Sequence, residues 1–159
     1  MADLTLDTLI DRAAQINPDA GRFLRDMFSV AHAWDDLTDR DKPFDEAATD
    51  NAFEALLVRL PMNPFYTQHI NLLHPIVMMA VLNWQMATRL ERKADADTER
   101  FAYVLRSSYA DLFPMVFWIL KGKAAALDAA EEARRAVHSE SICEYRAALV
   151  REKAEREVL

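Results

Sequence analysis

Glycine is nearly missing from this chain. Gly21 and Gly122 are the only two in 159 residues, so neither a Walker phosphate loop nor a Rossmann dinucleotide turn can be built. Proline is scarce as well, at six. Valine, isoleucine and threonine together number 22 against 26 alanines and 18 leucines. A β-sandwich or barrel needs many turns and many β-branched residues, so both are excluded. Cys143 is the single cysteine, which rules out an internal disulfide and a cysteine-based zinc site. Positive charge is in deficit: 19 basic against 26 acidic residues give a net charge of −7. No uniformly basic face for a nucleic acid is expected. The segment 61–90 has no acid and one base, Arg89. Within it, the stretch Ile70–Leu90 contains Asn71, His74, Pro75, Asn83 and Gln85, too polar for a membrane span and suited to a helix buried among other helices.

What is present reads as helix. A chain of 18.2 kDa has the size of one domain, and the pattern predicts a single all-α domain over 1–159, a bundle of six to eight helices. Leu6, Leu9, Ile10 and Ala13 recur at helical spacing. Asn17-Pro18 and Asn63-Pro64 each pair an N-cap with proline at the first helical position. The first opens a helix to about Thr38 with Phe23, Met27, Val30, Ala31 and Trp34 as its apolar stripe. A third helix is expected over Asp45–Leu60 with Phe53, Leu56, Leu57 and Leu60 inward. Pro75 is expected to kink or restart the chain before the most apolar helix, and Pro114 to kink a long one over Glu99–Lys121. Gly122 is placed as a C-cap. A break is expected near Ser139–Ser141. The charged segment 123–159 exposes Leu127, Val137, Ile142, Leu149 and Val150, and this predicts that it covers a second subunit in a homodimer. The opening MADLTLDTLIDR carries acids where a secretion signal needs bases, so a soluble cytoplasmic protein is expected.

One cluster carries chemistry. Asp35, Asp36, Asp39 and Asp41 lie within the string Asp35–Asp41. Asp35 and Asp39 are four apart and share a helical face, about 6 Å from each other. Asp36 is one residue round, within reach of the same cavity, with His32 one turn before it to orient it. Acids in the last turn of a helix oppose its dipole and repel one another. A divalent cation removes both penalties, and hard carboxylate oxygens suit Mg2+. An EF-hand beginning at Asp39 is excluded, since Phe44 stands where glycine is required and Asp50 where a bidentate glutamate is. A second polar row, Asn83, Ala87 and Glu91, steps by four along the most apolar helix.

Asp35-Asp36-x-x-Asp39 resembles the aspartate-rich motif of class I isoprenoid and terpene synthases. Asn83-x3-Ala87-x3-Glu91 is similar to that family's second metal motif, with alanine in place of its hydroxyl residue. The segments VAHAWDDLTDRDKP and NPFYTQHINLLHPIVMMAVLNWQ look like those of short phage-encoded proteins related to this fold, which implies the cytoplasm of a host cell. The resemblance implies that Asp35, Asp36 and Asp39 form one Mg2+ ligand group and Asn83 and Glu91 the other. It also implies a diphosphate compound as ligand, with metal ions stabilising a departing diphosphate. Arg89 and Arg106 are candidates to meet the phosphates, and Tyr109 to line the same pocket. Trp34, Trp84 and Trp118 are candidates to wall it. Two other readings compete. Ala87 and the short chain favour a non-enzymatic phage accessory or structural protein that keeps the fold. Glu131, Glu132, Glu152 and Glu155 suggest an all-α nucleotide pyrophosphohydrolase.

Overall fold

The structure, a computed structural model, describes residues 5–39, 43–93, 96–139 and 141–156. Among these every regular element is helical and no strand occurs. Helix α1 (Leu6–Ile16) and α2 (Pro18–Asp39) form a hairpin around Asn17. Asn17 caps α2 as expected, its Oδ1 accepting from the backbone of Asp19 at 2.9 Å and Ala20 at 3.3 Å. The hairpin is tight because residue 21 has no side chain. A Cβ there would stand 2.4 Å from the Ala14 Cβ.

Helices α3 (Glu46–Glu54) and α4 (Leu60–Met62) are one run joined by a π turn over Ala55–Arg59. Asp45 caps its start, accepting from Ala48 N at 3.0 Å. The extra residue per π turn rotates the helix. Ala52, Ala55 and Leu60 point inward, Leu60 as expected, whereas Phe53, Leu56 and Leu57, the last 71% exposed, turn outward against the sequence expectation. Asn63 caps α5 (Pro64–Gln68) and also reaches across to the Asp19 carbonyl at 2.9 Å.

Helix α6 (Ile70–Glu91) passes through Pro75 without a break. Proline in its second turn gives up only one hydrogen bond, and the helix continues. Only 11% of its most apolar stretch is buried. The expected burial among other helices is therefore corrected: α6 packs one side on the bundle and leaves the other uncovered. By length and composition alone it is long and apolar enough to cross a membrane.

The long helix expected over Glu99–Lys121 is two helices, α7 (Ala96–Leu105) and α8 (Leu112–Lys121), separated by a 3-10 turn over Ser108–Asp111. Pro114 sits in the first turn of α8, where its missing N–H is not needed, so the break comes before it. Gly122 ends α8 at φ +86°, its N–H donating to the Trp118 carbonyl at 2.8 Å. Then follow α9 (Lys123–Val137) and α10 (Ile142–Arg156). Ser141 and Glu144 form a reciprocal cap at the start of α10, with Ser141 N donating to Glu144 at 2.6 Å and Glu144 N to Ser141 Oγ at 3.3 Å.

The core lies at one end. Leu9 and Ile10 of α1, Phe23 and Leu24 of α2, Leu73 of α6, and Phe113 and Val116 of α8 are fully enclosed, floored by Ala129 and Ala133 of α9. The C-terminal half of α2 leaves this core. It runs alongside α6 and the break after α7, and there the candidate site forms.

Candidate functional site

Three acids of the cluster follow one another on α2, and their surroundings differ. Asp35 faces α6 and α7, with its side chain 43% exposed. Asp36 faces the other way, lining a separate hollow with Pro43, Phe44 and Ala48 at the start of α3. The two are thus not offered to one cavity. Asp39 is the last residue of α2, and its side chain lies outside the described residues, as do Asp41 and the side chains of Glu152 and Glu155. His32 does not orient Asp36; its Nδ1 lies 3.0 Å from the Phe28 carbonyl oxygen.

Asp35 and Glu91, one residue from each motif, are brought together on a third side chain. Arg106 directly follows α7, where the helix breaks, and its side chain crosses the gap to α2 and α6. Its Nη1 donates to Asp35 Oδ1 at 2.7 Å and its Nε to Glu91 Oε1 at 2.7 Å, and Nη2 also donates to Glu91 Oε2. The hydroxyl of Tyr145, on α10, donates to Glu91 Oε1. Trp84 closes the cluster from α6: its Nε1 donates to Asp35 at 3.3 Å, and the guanidinium lies over its ring at 5.6 Å. Glu91 is 8% exposed and Arg106 18%. One guanidinium thus pairs with two carboxylates from different helices, bidentate to Glu91 and through a single bond to Asp35. With two negative and one positive charge, these three side chains sum to −1.

This arrangement bears on the metal that the resemblance implies. The donor chemistry suits a cation, since two carboxylates converge on one. That cation is Arg106. Both Glu91 oxygens are already hydrogen-bonded, Asn83 donates to Ser108 Oγ at 3.1 Å, and Ala87 is fully buried. Among the described residues no group of three or more His, Cys, Asp or Glu side chains converges. As they stand, the described residues do not fit a magnesium cluster.

Two cavities meet at this cluster. The polar one, about 180 Å³, is lined by His32, Asp35, Tyr103, Ser107, His138 and Tyr145 among others. The apolar one, about 160 Å³, lies between Met27, Val30 and Trp34 of α2 and Val77, Ala80 and Val81 of α6, with Leu56 of the π turn at its edge. Ala31, Trp84, Arg106 and Tyr109 line both. Trp34 and Trp84 pack with ring centroids 4.6 Å apart and wall the apolar chamber as expected, whereas Trp118 is exposed elsewhere. Arg89 is exposed on α6 and lines neither cavity.

The electrostatics of the polar cavity follow from burial. Burial, and then the charge of Asp35, push the Tyr109 phenol up to about 12. Tyr145 is raised further by burial and by its bond to Glu91. His138 is held below its usual 6.5 by burial and by Arg134, so it is neutral at pH 7. Its Nε2 lies 3.1 Å from Ser107 Oγ, to which Arg134 also donates at 3.2 Å. Tyr103, His138 and Tyr145 were not legible as site residues. They reach the cavity through the packing of α7, α9 and α10, and no local pattern marks them. No family model, curated protein or solved structure matches this chain.

Proposed function

We propose that the protein is a non-enzymatic helical binding protein that takes a small amphiphilic molecule in the paired cavities. The observation that carries this reading is the use of Asp35 and Glu91, the two acids a metal-driven reaction would need, to hold Arg106 where the cavities join. An apolar chamber of about 160 Å³ resembles in size an engineered cavity of about 150 Å³ that holds benzene. It suits a short aliphatic or single-ring body. The polar end of the ligand then faces Asp35, Tyr103, Tyr109 and Tyr145. A cluster of net charge −1 and the faces of these aromatic rings favour a neutral or cationic end over an anionic one.

A second reading follows from the convergence of Asp35 and Glu91 themselves. A diphosphate compound carried with Mg2+ would need these acids released from Arg106, whose freed guanidinium would then meet phosphate oxygens. The terpene-synthase-like resemblance supports this reading; the engaged state of Glu91 and Asn83 weighs against turnover. One set of titrations separates the two. Hexylamine and hexanol are expected to change the emission of Trp34 and Trp84 saturably, and Ala80→Phe, which fills the chamber, to abolish the change. Binding of pyrophosphate only with Mg2+, together with release of diphosphate from a short prenyl diphosphate, would overturn the non-enzymatic reading.

A further inference from the structure

The side of α6 turned away from the cavities carries a run of exposed apolar side chains. Leu72, Met79 and Met86 repeat every seven residues, Pro75 and Leu82 lie between them, and Met78 lies beside. All six are exposed, Met79 and Leu82 by 54% each. Asn71 and Arg89 close the two ends of the stripe, and His74 and Gln85 form one flank. This is the seam spacing of paired helices, on a helix that no described residue covers along that side. Helix α7, which packs along α6, exposes Phe101 and Val104 as well.

We propose that this face binds a second copy of the chain, with the two α6 helices antiparallel across a two-fold axis near Met79. The area fits: seven half-open large side chains, at roughly 100 Å² each, approach the ~800 Å² that each partner contributes to a standard interface. The charge distribution fits also. Two copies of net charge −7 repel over most of their surfaces, and the outward stripe of α6 contains no acid. A two-fold axis at Met79 sets Leu72 of one copy against Met86 of the other and keeps the two Arg89 side chains apart. A parallel pair would bring them together. The face differs from the C-terminal one expected from the sequence: Leu127 and Val150 are exposed, but on separate helices with charged neighbours.

Sedimentation of the full chain at tens of micromolar tests this. A dimer is expected. Leu82→Glu and Met79→Lys, at positions already exposed, are expected to raise its dissociation constant at least a hundredfold with an unchanged helical spectrum. As a measurement independent of these variants, Met79→Cys in a Cys143→Ser background is expected to cross-link on mild oxidation, and Leu127→Cys in the same background to stay uncross-linked. A wild-type monomer overturns the proposal, whether or not it floats with phosphatidylcholine–phosphatidylglycerol vesicles; flotation would identify α6 as a lipid-binding face instead. So does a dimer that Leu127→Glu dissociates and Leu82→Glu does not.

Discussion

Arg106 is the residue on which the site depends. Removing one partner of a mostly buried ion pair leaves the others uncompensated and costs about 3–5 kcal/mol in a full interior. Asp35 is nearly half open to water, so Arg106→Ala is expected to cost roughly 2–3 kcal/mol in urea denaturation. The same variant leaves Asp35 and Glu91 facing each other without a cation. Millimolar Mg2+ should then raise its melting temperature more than that of the wild type, because a ligand that binds only the folded state stabilises it. An equal shift in both would show that the acids do not share a cation site. His138 supplies a pH dependence. Above about 6.5 neither folded nor unfolded chain protonates it. As pH falls below that value the unfolded chain takes up the proton first, so stability is lost until the depressed folded value is passed. His138→Gln should therefore lose less stability between pH 7 and pH 5 than wild type, measured by denaturation at each pH. At the alkaline end the sign reverses. Tyr109 keeps its proton to about 12 in the folded chain, so stability declines as pH rises past the ordinary value of 10. Phenolate absorbance at 295 nm should show Tyr109→Phe removing a late-titrating group.

At the scale of elements, both glycines are needed for different reasons. Gly21→Ala places a methyl 2.4 Å from the Ala14 side chain and 2.7 Å from its Cα. The hairpin of α1 and α2 must open, at an expected cost of about 1–3 kcal/mol. Gly122→Ala meets no atom within 4 Å, but φ +86° with an extended ψ is tolerated almost only by glycine and costs about 1–3 kcal/mol elsewhere. Thermal unfolding of each variant measures these. The starts and stops set by local chemistry were legible: Asn17-Pro18, Asn63-Pro64 and Gly122 act where their capping chemistry puts them. The interruptions set by packing were not. Apolar residues continue through Ser107 and Ser108 at helical spacing, so the break after α7 left no local signal, and Pro114 drew attention to the wrong turn. The π turn displaced part of the expected inward set for the same reason, since Leu56 and Leu57 obey a 3.6-residue period that the backbone abandons at Ala55.

At the scale of the molecule, the two ends of α2 have different tasks: Phe23 and Leu24 lock into the core, and Ala31 and Asp35 border the cavities. The acids of the site were visible in the sequence as a cluster, but not their partner, because Arg106 lies 71 residues from Asp35 and no local pattern records such a meeting. The last helix inherits a consequence. Helix α10 rests on α7 and on the end of α6, through Tyr145 tilted against Tyr103 at 5.1 Å between ring centroids, an Arg146–Glu99 ion pair at 3.0 Å and the Tyr145 bond to Glu91. An element so lightly attached opens far more often than the core does. Amide hydrogens of 142–151 should exchange orders of magnitude faster than those of α8, and Tyr145→Phe should quicken them further. Tyr145 is also a wall of the polar cavity, so each lifting of α10 unroofs it. Entry is already open on the side where Asp35 meets water, so α10 acts on departure: each detachment shortens the stay of a guest, which makes this helix a clock for residence in the cavity.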